Sequence, residues 1–119
     1  MILTVLALGG TLLGATTVAG LLTLYQIRNS TDLTNSAKAI FAADAGLEWA
    51  FYNFACSNGG TQQPCPAEEL DETFTNDAAV NVNCFDAAGE TVECTDPTVT
   101  AIRSIGRAGG SSRAFEATF

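Results

Sequence analysis

RNSTDLTNSAKAIFAADAGLEWAFYNFA, Arg28 to Ala55, decides how the rest of the chain is read. It holds no proline and one glycine, Gly46. Apolar residues recur at Leu33, Ala37, Ile40, Ala43, Leu47, Phe51 and Phe54, in steps of three and four. That period predicts an amphipathic helix with one buried stripe, while Asp32, Lys38, Asp44 and Glu48 fall mostly off it. A helix with one apolar face needs a second layer to cover that face. The flanking segments must supply the layer.

Towards the N-terminus the helix has no evident stop. MILTVLALGGTLLGATTVAGLLTLYQI, Met1 to Ile27, carries no charged side chain. The simplest reading is one helix from near Met1 to about Ala55, apolar all round in its first half and on one face in its second. At a rise of 1.5 Å per residue such a helix runs roughly 80 Å, beyond a hydrocarbon core of about 30 Å. The alternative is a break near Asn29–Thr31, where three polar residues suit the start of a new helix. A secretion signal fits poorly, because no Lys or Arg precedes the apolar run and the run is too long. The segment is rich in small and hydroxylated residues. Gly10 and Gly14 form a GxxxG pair, Ala15 and Ala19 a second small pair, and Gly20 follows. Such spacing lets helix backbones approach closely, and threonine hydroxyls can bond back to the helix or across to a neighbour.

Towards the C-terminus the period changes. CSNGGTQQPCP, Cys56 to Pro66, ends the helix with two glycines and two prolines and reads as a loop. AEELDETF, Ala67 to Phe74, reads as an acidic stretch of one or two helical turns. AAVNVNCFD (78–86) then alternates, AAGE marks a turn, and TVEC (91–94) returns as a paired strand. TVTAIRSIGR (98–107) is rich in β-branched residues, AGGS turns again, and SRAFEATF (112–119) alternates Phe115, Ala117 and Phe119 on one face. The expected fold class is α+β: a long N-terminal helix packed, by its amphipathic second half, on a small antiparallel sheet of about four strands. The expected organisation is 1–28 apolar helix, 29–55 amphipathic continuation and 56–119 disulfide-bonded β domain.

Composition narrows the function. The 119 residues carry a formal charge of −8 and no histidine. With Lys and Arg at only five positions, a basic nucleic-acid-binding face is not expected. Cys56, Cys65, Cys84 and Cys94 all lie beyond the apolar helix. An even cysteine count in a small exported domain reads as disulfides. Zinc would want CxxC pairs and histidines. Three connectivities are possible, of which Cys56–Cys65 with Cys84–Cys94 is the most economical. The acidic stretch lacks calcium-loop spacing. Asp44 and Glu48, one turn apart, read as solvated or as partners of Lys38 or an arginine of the last hairpin. Trp49, Phe51, Tyr52 and Phe54 read as core and interface aromatics. No nucleophile sits with a base, and there is no phosphate loop or metal cluster, so neither an enzyme nor a cofactor is expected.

Two stretches carry a resemblance. In AKAIFAADAGLEWAFYNF the residues Ala42, Ala43, Asp44, Ala45, Gly46, Leu47, Glu48 and Ala50 resemble the "A-x-x-A-A-E-A-G-[LI]-E-x-A" stretch of minor type IV pilins, including K-type pseudopilins, with Asp44 for the usual Glu. In the closing IRSIGRAGGSSRAFEATF, Ser104, Gly106, Gly109 or Gly110, and Arg113 resemble the "S-x-G-x-x-G-x-x-R" pattern of their last hairpin. The whole layout is similar to a processed type IV pilin. The resemblance implies a leader cut by a prepilin peptidase and a mature N-terminus, Met1, that is N-methylated. It implies membrane anchoring before assembly, then a helical homopolymer on the cell surface built by a pilus assembly machinery. Met1–Ile27 would first meet lipid and then copies of itself, with Gly10, Gly14, Ala15, Ala19 and Gly20 in the packed core. Gly14 and Gly20 are places where the helix could stretch. One departure is Val5, where most bacterial pilins carry Glu; that leaves open how the Met1 amine is satisfied. The expected function is the main filament subunit, since the outer domain is small and lacks the large K-type insertion. The alternatives are a minor pilin or pseudopilin at a filament tip, and a single-span membrane protein with a small binding domain.

Overall fold

The computed structural model describes residues 1–59, 70 and 72–119. Helix α1 (Ile2–Ser57) is followed by strands β1 (Ala78–Asp86), β2 (Thr91–Val92), β3 (Val99–Ala108) and β4 (Ser111–Thr118). The expected α+β class holds: one long helix and a four-stranded antiparallel sheet in the order β2-β1-β3-β4. The chain forms two compact units, Met1–Leu33 and Thr34–Phe119.

In the first unit the helix passes through Asn29–Thr31 without the alternative break. Thr31 Oγ1 donates to the Ile27 carbonyl at 3.1 Å, so its hydroxyl bonds back to the preceding turn instead of capping a new helix. The helix is also continuous through Gly14 and Gly20.

In the second unit the helix ends two residues beyond Ala55. Asn58 N–H and Asn58 Nδ2 both donate to the Phe54 carbonyl, and Gly59 takes φ 119°. These groups close the last helical turn, where carbonyls otherwise lack partners. The Gly60–Pro66 part of the predicted loop lies outside the described residues, as do Ala67–Glu69 and Asp71 of the acidic stretch.

The sheet is built around the β1–β3 ladder. Ala78 pairs with Ala108, Val80 with Gly106, Val82 with Ser104 and Cys84 with Ile102. Opposed residues share a face, so these eight line the side that meets the helix. β2 pairs only through Cys84↔Val92 and Phe85↔Thr91, shorter than the expected TVEC strand. Glu93 leaves the ladder because its carbonyl accepts Asp96 N–H in the following turn. β4 zips onto β3 from Ala108↔Ser111 to Ala101↔Thr118. The hairpin turn places Gly109 at φ 53°, which suits a residue without Cβ. Phe119 N–H donates to Thr100 O at 2.9 Å, and its ring meets Phe51 edge-on and stacks on Phe54.

The helix face that meets the sheet differs from the predicted stripe. Ala39, Ala42, Ala43, Gly46 and Ala50 are buried, while Ile40 keeps 40 % and Phe51 36 % of its surface exposed. Ala37 and Leu33 are exposed. Only Ala43 is common to the predicted and observed buried sets; Leu47 and Phe54 pack at the margin. The reason is distance. A helix lying on Gly106 and Ser104 approaches so closely that only small side chains fit between, and larger ones are pushed to the flanks. The core is correspondingly thin. Ile102, Cys84 and Ser104 are its largest fully buried side chains. A core this small needs a covalent support, and the Cys84–Cys94 disulfide supplies it.

Candidate assembly surface

In the first unit every side chain is solvent-exposed, from Met1 through Leu33. Such a surface of Leu, Ile and Val is incompatible with bulk water and suits lipid or another protein. The helix is long and apolar enough to cross a membrane, which is compatible with membrane anchoring. Its threonines do not spoil that surface. Thr4 donates to Met1 O, Thr11 to Leu8 O, Thr16 to Leu12 and Leu13 O, Thr17 to Leu13 and Gly14 O, and Thr23 to Ala19 O. Of the two expected roles for these hydroxyls, bonding back to the helix is the one seen.

A Cβ built on Gly9, Gly10, Gly14 or Gly20 would meet nothing within 4 Å. Within the chain these glycines answer no packing need, although each costs helix stability relative to Ala. Ala15 and Ala19 lie exposed on the same helix. Met1 precedes it, and its carbonyl accepts both Val5 N–H at 3.4 Å and Thr4 Oγ1 at 2.6 Å.

In the second unit the two stretches that carry the pilin resemblance face each other. A Cβ on Gly46 would lie 2.5 Å from both Ser104 Oγ and Val80 Cγ2. A Cβ on Gly106 would strike the Ala39 carbonyl oxygen and lie 2.6 Å from Ala43 N. A Cβ on Gly109 would lie 2.5 Å from Asn35 Nδ2, and Arg113 donates to Ser36 Oγ at 2.8 Å. Gly46, Gly106 and Gly109 therefore share one physical role, the close seam between α1 and β3–β4, whereas a Cβ on Gly110 would meet nothing within 4 Å. Ser104 Oγ is fully buried in that seam without a hydrogen-bond partner among the described residues. The sequence signal for this seam was available: Ala39, Ala43, Gly46 and Ala50 repeat every three to four residues, but the larger residues beside them dominate a hydrophobicity reading.

The Cys84–Cys94 bond forms as expected across the β1–β2 hairpin, with Cα atoms 5.2 Å apart. Cys56 is buried, and its expected pairing with Cys65 lies outside the described residues. Among the described residues no three His, Cys, Asp or Glu side chains gather as metal ligands.

The charged groups are sparsely paired. Arg103 bridges Glu116 at 2.8 Å and lies over the Phe85 ring. Lys38 donates to Asn76 O. Neither it nor an arginine of the last hairpin reaches Asp44 or Glu48, which stay exposed without an ion pair among the described residues. The Thr98 hydroxyl, and then the Thr98 backbone N–H, hold the Asp96 carboxyl below its ordinary pKa, tightening the turn before β3. Trp49 and Phe54 pack against the cluster of Ala50, Cys84, Val99 and Ile102, whereas Tyr52 is exposed. Comparison of the chain with protein-family models, with curated proteins and with solved structures finds no match.

Proposed function

We propose that this chain is the structural subunit of a type IV pilus-like filament on the cell surface. One observation carries the reading: helix α1 has an entirely exposed, uncharged first half, with glycines that answer nothing inside the chain, and a second half seated on a disulfide-bonded sheet. A plain anchor needs the apolar length but not the glycines. In a bundle of identical helices they let backbones approach, and close packing supplies the specificity that apolar transfer cannot. In this reading the helix is held in the inner membrane before assembly, and lipid contacts are exchanged for contacts between copies. The hydrophobic area then stays out of water throughout. A heterologous contact that does not close yields an open helical polymer. The role is structural, without catalysis or cofactor, and the partners are copies of the chain and the assembly machinery.

The test is an unreduced intact mass on material sheared from the cell surface. The expected dominant species begins at Met1, one methyl heavier than the sequence and four hydrogens lighter for two disulfides. Finding the protein only in membranes, with an upstream leader attached, replaces the filament by an anchored binding domain. A trace species in filaments dominated by another subunit replaces the main subunit by a minor one.

A further inference from the structure

Asn58 and Gly59 are the one Asn-Gly pair of the chain; every other asparagine precedes a residue with a side chain. The fold uses both members. Gly59 takes φ 119°, a conformation that L side chains rarely adopt, so the exit from α1 calls for glycine there. Asn58 Nδ2 donates to Phe54 O at 3.0 Å and to Thr95 O at 3.2 Å. Its amide thus clamps the last turn of α1 to the turn that follows Cys94. The same pair is chemically reactive. Gly59 is exposed, its N–H has no hydrogen-bond partner among the described residues, and a Cβ built on it would meet nothing within 4 Å. The backbone nitrogen beside the Asn58 amide is therefore open to solvent base, with room for a ring to close.

We propose that Asn58 is a modification site, at which deamidation unlocks the end of α1 from the Thr95 turn. Gly59 N, having given its proton to solvent base, attacks Asn58 Cγ. The Cγ–Nδ2 bond breaks and Nδ2 leaves as ammonia, taking a proton from water. The cyclic imide then adds one water. Breaking its bond between Cγ and Gly59 N yields Asp; breaking its bond between the Asn58 carbonyl carbon and Gly59 N yields isoaspartate. Nothing is oxidised or reduced, and water is the only co-reactant. Proximity favours such an intramolecular attack, and asparagine is among the thermolabile side chains. The two hydrogen bonds of the clamp slow the attack without preventing it, because each is worth only about 1 kcal/mol net and Asn58 is exposed. The product reverses the clamp. A donor of two hydrogen bonds becomes a carboxylate facing two carbonyl oxygens, with negative charge at a helix C-terminus.

The test holds the full chain in mild detergent at mildly alkaline and, in parallel, mildly acidic pH, and follows intact and fragment masses over days. The expected result is a gain of about one mass unit, confined to the peptide that contains Asn58, divided between Asp and isoaspartate and faster at alkaline pH. The variant Asn58→Asp supplies one product directly. It is expected to keep the Cys84–Cys94 bond by mass and the parent's far-UV circular dichroism. Hydrogen-exchange protection of the amides at positions 58 and 96, on the two sides of the clamp, is expected to fall by about tenfold. No mass gain at Asn58, or an earlier gain at another asparagine, overturns the site. Conversion at Asn58 with unchanged protection in Asn58→Asp overturns the unlocking. The site stands or falls apart from the filament reading, which rests on the first unit.

Discussion

Ser104 and Gly106, two residues apart on β3, make opposite demands on the same seam. At Gly106 a methyl group would meet the backbone of Ala39 and Ala43, which cannot rotate away. Gly106→Ala is expected to destabilise the protein by about 3 kcal/mol, the upper range for overpacking. At Ser104 the hydroxyl is buried without a partner among the described residues, so the folded state bears its desolvation with nothing in return. Ser104→Ala removes that group and is expected to leave stability unchanged or raise it by up to about 1 kcal/mol. Thermal unfolding of the full chain in mild detergent, followed by near-UV circular dichroism, measures both. A destabilising Ser104→Ala would mean that the hydroxyl finds a bonding partner in solution.

Among the elements, β2 is the one that cannot stand by its own hydrogen bonds. It has two residues, against nine or more in β1 and β3. The Cys84–Cys94 bond spans a sequence separation of 10 and holds the chain just past β2 to the central strand. Closing a loop of that length is worth about 3 kcal/mol by the chain-entropy estimate. Replacing both cysteines by Ala is expected to lower stability by about that amount. The loss should be local first. Hydrogen exchange of the Val92 amide, which faces β1, should become fast, while the β1–β3 ladder, with its nine paired positions, stays protected. Equal loss of protection in both would show that the sheet folds as one cooperative piece that includes β2.

For the whole molecule the sharpest prediction concerns the first unit, where stability and assembly part company. Gly10 and Gly14 have open space around them, so a leucine at each clashes with nothing in the chain. Gly10→Leu with Gly14→Leu should favour the helix by about 1 kcal/mol per position. Far-UV circular dichroism in detergent should therefore show helix content equal to or above the parent. If the glycines serve contact between helices, the same variant should yield no sheared polymer, because backbones held apart lose the close packing that drives association. Normal polymer from that variant would leave the glycines without a role in assembly.

What was legible in the sequence was whatever local periodicity and chain chemistry determine. The uncharged run from Met1 to Ile27, the three-to-four spacing from Leu33 to Phe54 and the alternation in AAVNVNCFD and SRAFEATF suffice for one long helix and an antiparallel sheet. The economical pairing of Cys84 with Cys94 also follows from their place on one hairpin. Two things waited for the tertiary structure. One is the strand order, in which β3 lies beside β1 and leaves β2 at the edge. The other is which helix stripe is covered. Period sets that a helix has a buried side, but the face chosen depends on how near the sheet can come. Gly46, Ser104 and Gly106 lie far apart in sequence and meet only in the fold. Their close approach turns the alanines inward and leaves Ile40, Phe41 and Phe51 at the surface, because space between layers, unlike hydrophobicity, is not a property of any single segment.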